Sequence, residues 1–169
     1  MLLSAVLLVG AGCGQNAAEN AVEREIEKAT NGQVQADIDV EGDSGEITIT
    51  SDDGDTVGQF GENLELPSDL PNTIPVYENA TVVASTHSEE NDTYIVTFSS
   101  TDDFSEIKEY FKEQIPAEGW TIDNELEMTN PTNVASYSCT QGDYTLTVAL
   151  TQTEDVTTIL ISHHETDSK

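Results

Sequence analysis

An α+β fold is predicted for this chain: an antiparallel sheet with one amphipathic helix across a face, preceded by a short helix and a small β-hairpin unit. Three observations predict it. From Val34 onward apolar residues recur at every second position in short runs, the pattern of strands with one wet face. Polar turns of a few residues separate those runs, and such turns join antiparallel neighbours. One segment among them changes period: Phe104, Ile107, Phe111 and Ile115 fall at helical spacing and make a single apolar stripe.

The first helix is expected over residues 17–30, where Ala18, Val22, Ile26 and Ala29 share a face and Asn31-Gly32 supplies a stop. Its stripe is thin, so it is expected to dock weakly or to act as a spacer. Val34, Ala36, Ile38 and Val40 then alternate with Gln35, Asp37 and Asp39, and the pattern resumes in Ile47 and Ile49, giving a hairpin. Residues 51–55 read as another turn, before a short strand at residues 56–60. The run Leu66-Pro67-Ser68-Asp69-Leu70-Pro71-Asn72-Thr73-Ile74-Pro75 holds three prolines, which exclude regular helix and favour extended backbone.

Nine of the ten aromatic residues, all but Phe60, follow that segment, so the main core is expected there. Strands at residues 80–86 and 93–99 form a hairpin with Tyr94, Val96 and Phe98 on one face. Thr101-Asp102-Asp103 places capping oxygens and negative charge at the start of the amphipathic helix, and Pro116 and then Gly119 are expected to end it. Trp120, Ile122 and Met128 mark a strand with an irregular middle. After the turn Asn130-Pro131-Thr132-Asn133, a second hairpin is expected with arms at residues 134–140 and 144–150, and residues 156–162 close the sheet. The organisation expected is a signal segment at residues 1–12, a tether and helix at 13–32, a small β-rich unit at 33–66, a proline-rich linker at 67–75 and an α+β domain at 76–165.

Charge sets bounds on partners. The 169 residues hold 33 acidic and 5 basic side chains, a formal charge of −28 at neutral pH. Such a surface is repelled by nucleic-acid phosphates, which are bound by releasing counterions to basic side chains, and it is repelled equally by anionic lipid headgroups. No nucleic-acid partner is expected. A hydrophobic content of 36% with regular strands argues for a folded domain over a disordered acidic tail. Lys-poor, acid-rich surfaces of this kind resemble those of salt-adapted organisms.

The segment Leu7-Leu8-Val9-Gly10-Ala11-Gly12-Cys13 closes the one strongly apolar stretch of the chain and resembles the lipobox of prokaryotic lipoproteins, with Gly10 where that family usually carries Leu. The resemblance implies that Cys13 is diacylglycerylated and becomes the first residue of the mature protein. The apolar run is too short to span a bilayer and polar Gln15, Asn16, Glu19 and Asn20 follow it, so membrane attachment is expected through the acyl chains alone. No basic residue precedes the run, and the native start is therefore expected further upstream. Lipidation of Cys13 would leave Cys139 without a partner, so no disulfide framework is expected; Cys139 reads as a small buried hydrophobe on a strand.

Ile74-Pro75-Val76-Tyr77-Glu78-Asn79-Ala80, Tyr110-Phe111-Lys112 and Ala117-Glu118-Gly119-Trp120 are similar to a module found behind a lipobox in bacterial and archaeal lipoproteins of no assigned activity, over residues 70–162. A weaker, fold-level likeness is to the helix-on-sheet modules of outer-membrane assembly lipoproteins, which implies action by contact.

Residue patterns that suggest chemistry have simpler readings. Gly42-Asp43-Ser44-Gly45 matches the string around the nucleophile of trypsin-like proteases, yet it joins two alternating strands, where a tight turn needs those residue types. Asp37, Asp39, Glu41 and Asp43 evoke a calcium loop, but the intervening Ile38 and Val40 belong to a strand, leaving at most weak cation association with a strip of surface carboxylates. The cluster Ser51-Asp52-Asp53-Gly54-Asp55 reads as a solvated turn. His163 and His164 face opposite sides of a strand and cannot chelate together, and with His87 they lack the spacing of a zinc site. Trp120, Tyr110 and Tyr77 suggest a sugar-stacking platform or, more simply, core. Asn79-Ala80-Thr81 and Asn91-Asp92-Thr93 are sequons. The function expected is that of a lipid-anchored extracytoplasmic binding or structural module, without catalytic residues, cofactor or metal. The alternative is a small extracytoplasmic hydrolase that uses carboxylates, which needs an acid pair of divergent pKa in one cleft.

Overall fold

A computed structural model describes residues 15–41 and 44–166. Cys13, the apolar segment before it, Gly42 and Asp43 lie outside the described residues. The chain runs α1 (Gln15–Ala29), β1 (Val34–Glu41), β2 (Ser44–Ser51), β3 (Thr56–Leu64), β4 (Thr81–Ser88), β5 (Thr93–Ser100), α2 (Phe104–Ala117), β6 (Thr121–Met128), β7 (Val134–Gln141), β8 (Tyr144–Thr153) and β9 (Val156–Glu165).

Most sequence-adjacent strands pair through short turns, whereas β3 and β4 pair across residues 65–80. β1 to β5 form a meander, and α2 then carries the chain across one face to the far edge. There β6 to β9 meander back until β9 pairs with β5, so all nine strands make one antiparallel sheet ordered β1-β2-β3-β4-β5-β9-β8-β7-β6. The α+β class expected from the periodicity is observed. β3 runs past the expected residues 56–60 to Leu64, with an irregularity between Phe60 and Leu64 and positive φ at Asn63. It pairs with β4 on the other side of the prolyl segment, so residues before and after that segment share the sheet.

α2 starts where Asp103 accepts a hydrogen bond from the Ser105 N–H at 2.8 Å, satisfying a donor that the first turn leaves free. The helix takes in Pro116 instead of stopping at it, because a proline in the last turn forfeits a single backbone bond. It ends in a Schellman arrangement. The Trp120 N–H donates to the Ile115 carbonyl and the Gly119 N–H to the Pro116 carbonyl, both at 3.1 Å, with Gly119 at φ +90°. Phe104, Ile107, Phe111 and Ile115 are buried against Phe98, Tyr137, Leu146, Val148 and Ile161. We call the side of the sheet under α2 the inner face.

Glu109 and Glu113 are the sequence neighbours of Lys108 and Lys112 on α2. Residues one apart on a helix diverge by about 100°, and the lysines instead cross to β6, meeting Glu127 at 2.6 Å and Glu125 at 2.9 Å. α1 packs along β1. Val34, Ala36 and Ile38 are half-buried while Gln35, Asp37 and Asp39 are exposed, so α1 lies over the outer face at that edge. Glu23 accepts the Ile38 N–H at 3.0 Å, blocking part of an otherwise open strand edge. No described helix is long and apolar enough to cross a membrane.

Candidate functional site

Two features stand out from the core: a prolyl strap held by aromatic side chains on the inner face, and an outer face whose paired residues carry no formal charge, with Glu62 at its margin.

The prolines of residues 66–75 exclude regular helix, but the strap is not extended as expected. It folds into two turns, in which the Leu70 N–H donates to the Pro67 carbonyl at 3.1 Å and the Ile74 N–H to the Pro71 carbonyl at 3.0 Å, because proline presets the φ that such turns need. Side chains from the sheet and α2 anchor it. Trp120 Nε1 donates to the Thr73 carbonyl at 2.7 Å, Tyr110 to the Val76 carbonyl at 2.5 Å and Tyr94 to the Asp69 carbonyl at 3.3 Å. His87 Nδ1 lies 3.0 Å from Asp69 Oδ2, and its ring stacks on Tyr94 with centroids 4.1 Å apart. Beside them His163 is almost fully buried, stacked on the half-exposed Tyr144 at 5.0 Å and met edge-on by Trp120 at 5.8 Å. Its Nδ1 has no hydrogen-bond partner among the described residues. Burial lowers its pKa, and the nearby Asp92 opposes that shift.

The other buried titratable groups are likewise held neutral. Burial, with Asp69 next in importance, pushes the Tyr94 hydroxyl up to about 12, and burial with a hydrogen bond to Asp102 does the same for Tyr77. The Cys139 thiol, buried on β7, is pushed up to about 11 by burial and is protonated at neutral pH. It is the small buried strand residue the sequence suggests. Trp120 and Tyr77 are core residues that brace the strap. As the strand period requires, His163 points inward and His164 outward, where Thr145 bonds its Nε2 at 2.8 Å. Among the described residues no three His, Cys, Asp or Glu side chains converge as metal ligands. Asp37 and Asp39 are exposed on one strand face, and the Ser51–Asp53 hydrogen bond closes the turn before β3. Both sequon asparagines, Asn79 and Asn91, are exposed.

Side chains of directly paired residues point the same way, which defines the outer face row by row. One row crosses the whole sheet: Ile38 pairs Ile47, Ile47 pairs Phe60, Phe60 pairs Ala84 and Ala84 pairs Thr97. It continues from Thr97 to Leu160, Ala149, Ser136 and Leu126. The next row holds Ala36, Ile49, Gly58, Thr86, Ile95, Ser162, Thr147, Ser138 and Asn124. No Asp, Glu, Lys or Arg occurs in either row. Paired strand acids fall on the inner parity: Asp37, Asp39, Glu46, Glu125, Glu127 and Glu165.

Exposed apolar surface gathers on the same outer face. Ile47 and Phe60 stand on β2 and β3, Ile95, Val156 and Leu160 on the central strands, and Leu126 and Met128 on β6. Phe60 is 43% and Leu126 51% exposed, whereas the inner face under α2 buries its large side chains and leaves Val57 and Tyr144 part-exposed away from the helix. At the margin, a shallow hollow of about 310 Å³ is lined by Glu62, Asn63, Asn79, Thr81, Val83, Ser99, Ser100 and Thr101. This face is absent from the expectations drawn from sequence, although the strict parity of paired acids in β1 and β6 signals it.

A family model described as START domain-like matches residues 80–157, which covers β4, β5, α2, β6, β7, β8 and the start of β9. The similarity therefore falls on α2 and six of the nine strands. No match to a curated protein or to a solved structure was found.

Proposed function

We propose that this chain is a lipid-anchored extracytoplasmic binding module that acts by contact through the outer face of its sheet. The observation that carries the reading is the exclusion of every formal charge from the paired residues of that face, in a chain of −28. The acids at paired strand positions fall on the inner parity, and exposed apolar side chains concentrated on the other face are what a contact surface requires. The START domain-like match over residues 80–157 supports a binding role, since domains of that type generally bind ligands. The anchor rests on the lipobox-like run ending at Cys13. The remaining acidic surface would keep the domain off anionic headgroups.

The test is recovery from membranes. Expressed behind a full export signal, the chain should partition into the detergent-rich phase, and Cys13→Ser should leave it. A Cys13→Ser protein that stays there overturns the anchor. Crosslinking on intact membranes should trap a partner that Phe60→Asp loses, and unchanged trapping overturns the contact surface.

A further inference from the structure

We propose that the outer face is the interface of a homodimer, with a two-fold axis running along the sheet between β5 and β9. This rests on the outer face being the contact surface and names what covers it. A second copy carries the same −28, so any other approach sets carboxylates against carboxylates. The outer face is the surface whose paired residues put no carboxylate into the contact, which reduces that cost.

The face also fits itself. α1 covers β1, which leaves the eight strands from β2 to β6 open. An axis through their middle lays β3 of one copy over β7 of the other, β4 over β8 and β5 over β9. Along the row described above, Phe60 then faces Ser136, Ala84 faces Ala149 and Leu160 faces Thr97. In the next row Ile95 faces Ser162. Phe60, Leu160 and Ile95 each meet a small side chain, which lets two sheets approach to roughly 10 Å near the axis, and at the ends of the row Ile47 of β2 meets Leu126 of β6 as an apolar pair. Eight strands at roughly 4.8 Å and about five residues at roughly 3.3 Å give about 650 Å² per copy, near the roughly 800 Å² per partner of a stable interface. α1 of each copy borders the other's β6, so the helix limits the contact to these eight strands.

Sedimentation of the full chain, produced without acylation, tests the inference. Wild type should run at twice 18.3 kDa, and Phe60→Asp and Ser136→Lys should each run at 18.3 kDa. These positions are on different strands of one copy but face each other across the axis, so an equimolar mixture of the two variants should regain the dimer mass. Gln35→Asp adds the same charge on the inner parity and should remain dimeric; circular dichroism of each variant confirms folding. A wild type that stays at 18.3 kDa at every concentration, or a mixture that fails to regain the mass, overturns the dimer. A monomer whose trapping on membranes still depends on Phe60 would keep the contact-module reading with a different occupant; a monomer with no such dependence removes both.

Discussion

Replacing His163 with Phe should remove a defined part of the pH dependence of stability. The ring is buried between Tyr144 and Trp120, its Nδ1 lacks a partner among the described residues, and burial lowers its pKa from 6.5. The unfolded chain therefore takes up a proton near pH 6.5 that the folded chain refuses. The stability contributed by neutral His163 is complete above that pH and is lost as pH falls through the folded value. The loss belongs to one proton and runs from pH 6.5 down to the folded value, so each pH unit in that window costs at most a tenfold change in the unfolding constant, about 1.4 kcal/mol. Tyr94, Tyr144 and Trp120 contribute no charge in this range. Asp92 favours the protonated ring and His164 opposes it, so the measured loss falls below that bound. His163→Phe keeps the stacked ring and removes both the titration and the unpaired nitrogen. Urea unfolding at a series of pH values should show the variant losing less stability than wild type below pH 6.5, by up to about 1.4 kcal/mol per pH unit. Carboxylates protonating elsewhere affect both proteins alike and cancel. Identical pH profiles would refute the reasoning, as would an NMR titration placing His163 at or above its ordinary value in the folded protein.

Trp120→Ala removes a buried indole and its 2.7 Å hydrogen bond to Thr73, and should cost about 3 to 5 kcal/mol in denaturant unfolding; Trp120→Phe should cost less, yet should speed proteolysis within residues 66–75. In a Cys13→Ser background, Cys139 should resist thiol reagents at pH 8 until urea unfolds the protein, and rapid native labelling would contradict its burial. The unfolding midpoint should rise from low salt to molar sodium chloride, because the Debye length falls from about 8 Å to about 3 Å between physiological and molar ionic strength and relieves repulsion among 33 acids. With His163→Phe in place, the midpoint should rise again toward pH 5 as carboxylates protonate. A midpoint that is flat or falls with salt would show the acids to be spaced too widely for repulsion to matter.

Much of the sheet is legible in the sequence because local physics decides it. Alternation in Val34 to Val40, the polar turn before Thr93 and the stripe of Phe104, Ile107, Phe111 and Ile115 each fix an element without reference to the rest of the chain. Hairpin signals, however, name only neighbours in sequence. The closure of β9 on β5, more than fifty residues apart, depends on where α2 delivers the chain, and no local pattern encodes that. The same holds for Asp69 with His87 and Lys112 with Glu125, which meet only once the strap and β6 are in place. Cys139 and the opposed pair His163 and His164 are legible because strand period alone assigns their sides. The outer face was hidden by reading strands singly: every strand looks half wet, and the absence of charge emerges only when nine outward parities are laid side by side.

Salt has two routes to stabilising this protein, and they can be separated. Screening relieves repulsion within one copy, an effect independent of protein concentration. Screening also lets two copies of −28 approach, and dimerisation then stabilises the folded state by mass action, an effect that grows with concentration. If the outer face is a dimer interface, the midpoint at molar salt should climb as wild type is concentrated. In Phe60→Asp the salt effect should persist while the concentration dependence disappears. Loss of both together would mean that Phe60 supports the fold of the chain itself. Persistence of both would place the association on another surface, where carboxylates would have to be screened before contact.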